Sequence, residues 1–263
     1  KVGSVMRNLD GAINMRNIGL QLYTVRESAK HDFIGTLRQV SHMGYRGIES
    51  YGHFGGLAPR EMAAVLDDLG LSLISGHLGL EAFSRGFERL LDDYATLGTR
   101  YLGLAWRAPE QRLDAHSYHR IAHTLEKAAL MAQKHDITLF HHNHDFEFVR
   151  LDGTPALDIL LGACDPSLVK AELDVYWAAF AGEDPVATMR RLEGRLPLVH
   201  LKDMGPEPAR ADTVLGAGSL DFDAILQAGD ALGVDWYFVE QDHPVGNDLE
   251  SVGTAMANLK ARG

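Results

Sequence analysis

Short apolar runs, rich in β-branched and aromatic residues, alternate with amphipathic stretches along nearly the whole chain. Runs of this kind, bounded by turn-forming residues, predict buried β-strands. Eight strands are predicted, over residues 18–23, 47–50, 72–77, 101–105, 137–142, 168–174, 197–202 and 236–240.

The stretches between these runs carry apolar residues at helical spacing. They predict helices over residues 33–43, 59–69, 81–97, 116–135, 158–162, 185–192, 222–232 and 249–260. Regular alternation of strands and helices is typical of a parallel sheet with crossover helices. Eight repeats favour a closed (β/α)8 TIM barrel over an open doubly wound sheet. No Gly-x-Gly-x-x-Gly or P-loop sequence follows a strand, so no motif supports a nucleotide-binding fold.

The length of 263 residues suits one such barrel, which typically needs ~250 residues. We expect residues 1–17 to form an N-terminal extension and residues 18–263 a single domain. Apolar residues make up 46% of the chain and charged residues 23%, as in ordinary globular domains. Cys164 is the only cysteine, which excludes an intramolecular disulfide.

The net charge of −11 argues against a nucleic-acid partner, because phosphate backbones are bound by clustered Lys and Arg. No apolar run approaches the roughly 18 residues of a membrane span. Residues 1–17 lack the apolar segment of a signal peptide, so we expect a cytoplasmic protein. The chain begins at Lys1, which leaves removal of an export signal and a periplasmic location as the alternative. A homo-oligomer is compatible with the sequence.

Acidic residues and histidines stand at the ends of the last four predicted strands. Asp174, His200 and Glu240 lie at or near the ends of successive strands. If each side chain points toward the barrel axis, the three converge at the mouth, where TIM barrels build their active sites. Two carboxylates and an imidazole predict one divalent metal ion, Mn, Co, Zn or Fe, rather than Ca.

The fifth predicted strand ends in an unusual histidine cluster. His142 and His144 share a face and are candidate ligands, bases or substrate donors, whereas His141 points the other way and is expected to pack against a helix. Glu147 follows the strand. It either folds back onto the metal or faces solvent.

The first half of the chain adds candidates for substrate contact. Glu49 and His77 end the second and third strands and are expected to hold sugar hydroxyls. Trp106 and Trp177 follow the fourth and sixth strands. Aromatic faces at a barrel mouth often stack on sugar rings, and packing of loops is the alternative role for both.

Five segments together resemble the sugar phosphate isomerase/epimerase family. They are residues 19–26, 47–49, 142–148 (HNHDFEF), 172–177 and 200–204. The family belongs to the xylose-isomerase-like TIM barrel superfamily, which also holds endonuclease IV-like proteins. The resemblance extends from residue 18 to about residue 260.

The resemblance implies one divalent metal held by Glu, Asp, His and Glu from strands five to eight. Asp174, His200 and Glu240 match the last three positions. His142 stands where the epimerases of the family have Glu, and Glu147 would then supply the missing carboxylate. Ala217 is a second departure, in a Gly216–Gly218 loop that resembles the family's Gly-Glu-Gly.

The implied chemistry is removal of a proton next to a carbonyl of a sugar or keto-sugar. Two glutamates move the proton in the family's epimerases, so His142 here becomes the leading base candidate, His144 the second and Glu240 the partner. Lys202 would stabilise the developing oxyanion, oriented by Asp203. The enediolate could be reprotonated, giving isomerisation or epimerisation, or lose a β-substituent, giving dehydration or cleavage of a 3-keto-glycoside.

Two other classes of function remain as alternatives. An endonuclease IV-like DNA repair enzyme would need a richer His/Glu metal set and a basic groove, against which the net charge argues. A non-catalytic binding subunit would be stable without metal. The fold alone does not separate these functions.

Overall fold

A closed barrel of eight parallel strands forms the centre of the molecule. The structure is a computed structural model that describes residues 17–84 and 86–262. The strands are β1 (Ile18–Gln21), β2 (Gly47–Ser50), β3 (Ser72–Leu78), β4 (Tyr101–Leu104), β5 (Thr138–His142), β6 (Val169–Asp174), β7 (Leu198–Leu201) and β8 (Trp236–Val239). The barrel closes because Leu20 of β1 pairs with Ile48 of β2 on one side and with Val239 of β8 on the other. The predicted TIM barrel is confirmed. The expected N-terminal extension lies outside the described residues except for Asn17.

Ten helices of the described chain connect and cover the strands. They are α1 (Arg26–His31), α2 (Phe33–Met43), α3 (Pro59–Leu69), α4 (Phe87–Thr96), α5 (Ala115–Ala132), α6 (Ala156–Gly162), α7 (Val175–Phe180), α8 (Pro185–Arg191), α9 (Phe222–Leu232) and α10 (Asp248–Lys260). Within residues 17–84 and 86–262, no helix is long and apolar enough to cross a membrane.

The largest difference from the predicted helices lies between β3 and β4. A single helix was expected over residues 81–97, but a 3-10 turn over Leu80–Phe83 is separated from α4. Gly86 between them has φ +77°, outside the right-handed helical region, so the chain cannot continue as one helix. Helices α1 and α7 were not predicted, because six residues are too few to display a helical period.

Two apolar regions fix the level at which the functional side chains sit. The larger one packs between the strands and the helices. The smaller one fills the lower barrel interior with Ile74, Phe140, Leu198 and Phe238. Every second residue of a strand points to the same face. The next inward positions after Phe140, Leu198 and Phe238 are therefore His142, His200 and Glu240, all of which are buried. The polar groups therefore rest on an apolar floor, near the carboxyl ends of the strands.

A close contact within this floor generates a test of the packing. Gly103 of β4 lies against Phe140, and a Cβ at position 103 would overlap the aromatic ring. We expect Gly103→Ala to lower the free energy of unfolding by about 1–3 kcal/mol, because the buried ring must shift. Gly162→Ala is the matched control, since its Cβ would enter open space at the end of α6, and it should leave stability unchanged or raise it by up to about 1 kcal/mol. Equal effects of the two substitutions in urea unfolding would contradict this packing.

Candidate metal centre

Four side chains from consecutive strand ends converge at the barrel mouth. His142 ends β5, Asp174 ends β6, His200 lies on β7, and Glu240 directly follows β8. Each offers a ligand atom, and these atoms all lie within 4.8 Å of one another. All four residues are buried. Two imidazoles and two carboxylates form a donor set that suits a divalent transition metal or zinc.

The fit to a cation is supported by an oxygen without a hydrogen-bond partner. Asp174 Oδ1 accepts the N–H of Trp177 at 3.0 Å and so caps α7. Asp174 Oδ2 is buried and accepts no hydrogen bond. An unsatisfied buried carboxylate oxygen is costly, and a bound cation would remove that cost. Asp174 therefore orients its second oxygen toward the donor cluster by using the first as a cap.

A second group of polar side chains adjoins these donors. Glu172 Oε2 is 2.6 Å from His77 Nε2 and 3.1 Å from His142 Nδ1, and Glu49 Oε1 is 2.7 Å from His200 Nε2. His77, His142, Glu172 and His200 also form a compact group of potential ligands.

The two groups share His142 and His200, and a neutral imidazole has only one lone pair to offer. If His142 Nδ1–H donates to Glu172 and His200 Nε2–H donates to Glu49, one oxygen of each carboxylate is paired, whereas Glu172 Oε1 and Glu49 Oε2 have no hydrogen-bond partner. The other nitrogen of each ring is then free to bind a cation, and His200 Nδ1 indeed lies 2.9 Å from Glu240 Oε2. Carboxylates commonly fix metal-binding histidines in this way. The geometry favours the set His142, Asp174, His200 and Glu240 as the ligands.

The surroundings shift several proton affinities strongly. Burial raises the pKa of Asp174 to about 7, although the Lys202 ammonium opposes this. For His200, burial would lower the pKa, but the carboxylates of Glu172, Glu240 and Glu49 outweigh it and hold the pKa well above its usual range. Without a cation, a proton on His200 balances part of this negative charge, so cation binding must displace protons.

The Lys202 ammonium is fixed inside the same cluster. It is buried, bonds to the Asp242 carboxylate and lies 3.5 Å from Glu240 Oε2. Its Nζ sits 4.9 Å from the centre of the Trp177 ring. Burial alone would lower the pKa of Lys202, but the surrounding carboxylates raise it above its usual range, so this group stays cationic. The expected orienting role of Asp203 is not observed, because neighbouring residues on a strand point to opposite faces and Asp242 holds Lys202 instead.

His144 occupies the side of the mouth next to these groups. Its ring stacks on Phe146, with ring centres 5.1 Å apart, and lies 5.1 Å from the His142 ring and 5.6 Å from the Trp177 ring. Its Nδ1 is buried without a hydrogen-bond partner. Burial lowers the pKa of His144 to about 4, so the ring is neutral near pH 7.

Glu147, expected as a ligand, belongs to neither donor group. Its carboxylate bonds to the Arg107 guanidinium, and its Oε2 accepts the N–H of His144 at 2.7 Å. The 3-10 turn over Asp145–Phe148 directs it toward His141, whose Nε2 is 3.7 Å away, on the outward face of β5. His142, and not Glu147, forms the group of four potential ligands together with Asp174, His200 and Glu240. Arg107 was missed by the sequence analysis, because an arginine after a strand ordinarily indicates a solvated loop.

The four expected substrate contacts separate into two groups. Glu49 and His77 belong to the second polar group, in which Glu49 lies 2.7 Å from His200 Nε2 and also accepts a hydrogen bond from Gln21 Nε2 at 2.7 Å. Trp177 lies beside Lys202 and His144 at the mouth. Trp106 is 58% exposed and stays a prediction as a sugar-stacking residue.

Comparison with known proteins agrees with this architecture. A sequence profile described as xylose isomerase-like TIM barrel matches residues 37–262. The chain belongs to the xylose isomerase-like TIM barrel family. A crystal structure of a sugar phosphate isomerase/epimerase from Parabacteroides distasonis ATCC 8503 superposes with a TM-score of 0.83 and 23% identity, covering 99% of this chain and 96% of that one. At this identity the likeness establishes the fold.

Curated relatives match part of the chain. An inosose dehydratase from Clostridium botulinum (strain Eklund 17B / Type B) is 28% identical over 54% of this chain and 53% of the relative. An inosose dehydratase from Geobacillus kaustophilus (strain HTA426) is 27% identical over 64% of this chain and 61% of the relative. The chain thus spans little more than half the length of these two relatives.

Metal content tests the assignment of ligands and supporting groups. We expect the metal affinity of Asp174→Asn to fall by at least about 100-fold, because a ligand loses its charge. Glu172→Gln should lose about 10–100-fold, because it only orients His142. Elemental analysis after dialysis against a weak chelator measures both. Asp165→Asn, a substitution before β6 at the opposite end of the barrel, is the control and should keep the wild-type content. An Asp174→Asn protein that retains metal as well as the wild type would contradict the assignment.

The Arg107–Glu147 pair provides a separate test. Arg107→Met should lower the free energy of unfolding by about 3–5 kcal/mol, because it leaves the Glu147 carboxylate buried without its cation. Adding Glu147→Gln to this variant should restore part of the loss. Urea unfolding measures the stabilities, and elemental analysis of the single variant Glu147→Gln should find the wild-type metal content. If Glu147→Gln lost its metal but kept its stability, Glu147 would have to be assigned as a metal ligand.

Proposed function

We propose that the protein is an enzyme that removes a proton next to the carbonyl of a sugar or cyclic keto-polyol, with one divalent metal ion as cofactor. The observation that carries this proposal is the convergence of His142, Asp174, His200 and Glu240 at the barrel mouth. A divalent cation held by these residues would withdraw electron density from a carbonyl and acidify the adjacent C–H group. The donor set is compatible with Mn, Co, Zn or Fe.

His144 is the proposed proton acceptor. Its ring is neutral near pH 7, its Nδ1 has no partner, and it adjoins the donor cluster. His142, the leading candidate from the sequence, is assigned to the cation instead because Glu172 fixes its ring. The permanently cationic Lys202 would stabilise negative charge on the substrate oxygen, and its burial strengthens that effect.

Dehydration is the outcome that we favour. The α C–H bond breaks, the proton passes to His144, and the electron pair forms a C=C bond with the carbonyl carbon while the C=O π electrons move to the carbonyl oxygen. When the C=O bond re-forms, the electron pair shifts to make a double bond between the α- and β-carbons, the bond from the β-carbon to its hydroxyl breaks, and the oxygen leaves as water with the proton returned by His144. One imidazole, that of His144, suffices for both transfers. The likeness to two inosose dehydratases supports this outcome.

Isomerisation or epimerisation is the second candidate. It requires the proton to return to carbon, and epimerisation requires a second group to deliver it from the other face. Glu240 could take that part. Glu240 is also a proposed ligand of the cation, so its carboxylate is not free to carry a proton. Dehydration needs no such second group.

The DNA repair alternative is disfavoured by charge. Among the described residues, Lys202 is the only lysine or arginine within 4 Å of a carboxylate of the donor cluster. The whole chain carries a net charge of −11. A DNA phosphate backbone would therefore meet repulsion at the mouth. A metal-free wild type, even after reloading, would favour the non-catalytic binding role.

The proposal is tested with metal-loaded protein, inosose and a set of keto-sugars in D2O. Proton NMR should detect exchange of the α-proton, and mass spectrometry should detect a product that has lost one water. We expect His144→Ala to lower the rate by about 10²–10⁴-fold while the metal content stays at the wild-type level. His243→Ala, an exposed histidine after β8, is the control and should be fully active. Exchange without loss of water would select isomerisation. An unchanged rate in His144→Ala would reject His144 as the base.

A further inference from the structure

Aromatic side chains adjoin the polar cluster on the β1 and β2 side of the mouth. Glu49 Oε1 lies 2.7 Å from His200 Nε2, and Gln21 Nε2 donates a hydrogen bond to the same oxygen. Tyr23 lies two residues beyond Gln21, and its N–H donates to Gln21 Oε1 at 3.0 Å. Tyr51 lies two residues beyond Glu49. The two tyrosine rings meet edge to face, with centres 5.5 Å apart. They therefore follow directly on the groups that contact a proposed metal ligand.

A cavity of about 410 Å³ lies next to this tyrosine pair. It is formed by α1, the start of α2 and the loop after β2, and its lining includes Ala29, Lys30, Phe33, Tyr51 and His53. Sites for small molecules typically measure about 300–1,000 Å³ and combine apolar or aromatic walls with a few polar groups. Because Tyr51 lines the cavity and also contacts Tyr23, the cavity adjoins the mouth.

Aromatic rings form one wall of this cavity. The His53 ring lies 4.4 Å from the Tyr51 ring and 6.2 Å from the Phe33 ring, measured between centres. His53 is exposed, and Tyr51 and Phe33 are half-buried, so each keeps part of its surface accessible to a ligand. Aromatic faces attract other rings and the apolar faces of sugars.

The loop after β2 leaves this wall open and supplies a polar group. A Cβ at Gly55 would overlap the Phe33 ring, so a larger residue there would displace Phe33. His53 Nδ1 accepts the N–H of Gly55 at 3.1 Å. In the neutral ring, His53 Nε2 then carries the proton and can donate it to a ligand hydroxyl. The cavity thus combines aromatic surface with a hydrogen-bond donor, as the binding of a hydroxylated ring requires.

The cations near the cavity already have partners. Lys30 Nζ lies 2.6 Å and Arg26 Nε 3.8 Å from Glu27 Oε1. Arg26 also covers the Tyr23 ring at 4.0 Å and donates a hydrogen bond to the Asp242 carbonyl at 2.8 Å. These contacts favour an uncharged ligand in the cavity.

We infer that this cavity is a subsite for a second ring of the substrate, which stacks on Tyr51 and His53 while the keto ring lies at the metal centre. Two residues of extended chain cover about 6.6 Å. A ligand that reaches from the donor cluster past Glu49 to Tyr51 is therefore longer than a single six-membered ring. The substrate class is then a keto-sugar or keto-polyol that carries a sugar or aryl ring. The inference rests on the proposed function for the keto group, but on the cavity alone for the second ring.

Calorimetric titration of the metal-loaded protein tests the subsite without any turnover. Methyl β-D-glucoside is the probe with one ring, and phenyl β-D-glucoside and cellobiose add an aryl ring and a sugar ring. The wild type should bind at least one of the larger probes about 10-fold more tightly than the smaller one, because stacking and burial of the second ring are gained. A preference for phenyl β-D-glucoside alone would identify an aryl ring, and a preference for cellobiose alone a sugar ring. Equal affinities for all three probes, or binding of none, would overturn the inference.

Substitutions in the lining locate the preference. Ala29→Phe places a ring inside the cavity and should reduce the preference for the larger probes from about 10-fold to about 2-fold. Ala257→Phe, at an exposed position of α10 outside the cavity, is the matched control and should keep the wild-type preference. Tyr51→Ala removes a stacking surface and should weaken binding of the larger probes by about 2- to 10-fold, which provides the test if Ala29→Phe does not fold. A wild-type preference in either lining variant would overturn the inference. Absence of α-proton exchange in D2O would reject the proposed function and leave the preference for two rings standing.

Discussion

Burial of several carboxylates in one barrel is the constraint on which the rest of the site depends. An isolated buried carboxylate is strongly unfavourable, so each must have an imidazole, an ammonium or a cation beside it. The structure meets this need by alternating acids and bases: Glu172 lies between His77 and His142, and His200 lies between Glu49 and Glu240. The apolar floor of the barrel excludes water from below and makes these interactions stronger.

The same alternation of acids and bases determines which ring nitrogens of the histidines are available to a cation. When both rings are neutral, Glu172 and Glu49 can accept hydrogen bonds from His142 Nδ1–H and His200 Nε2–H, and the other ring nitrogen of each histidine is then available to a cation. A cation would then meet two lone pairs and two carboxylates that are already oriented. Preorganised donors lose little entropy on binding, which favours both metal affinity and catalysis. His144 adjoins this arrangement with a nitrogen that no other group occupies.

Two loops at the strand ends use a buried carboxylate for a different purpose. Glu147 is held by Arg107 and by the N–H of His144, and it thereby fixes the turn that carries the proposed base. Asp203 gathers the loop after β7 through four N–H groups. In both loops the acidic residue shapes the backbone next to a functional residue. From the sequence, Glu147 was expected to bind the metal and Asp203 to orient Lys202.

The sequence by itself determined the barrel, its eight strands and the level of the polar groups, because alternation of apolar residues and strand spacing are local properties. It also singled out Asp174, His200, Glu240 and the histidines of β5. Only the tertiary structure decided which of these groups meet. The side on which Glu147 turns depends on a 3-10 turn and on Arg107, 40 residues earlier in the chain. The contacts of His77 with Glu172 and of Glu49 with His200 depend on barrel closure, which brings β2 and β3 opposite β6 and β7. Contacts between residues far apart in the chain leave no periodic trace in it, and these contacts separate a ligand from its support.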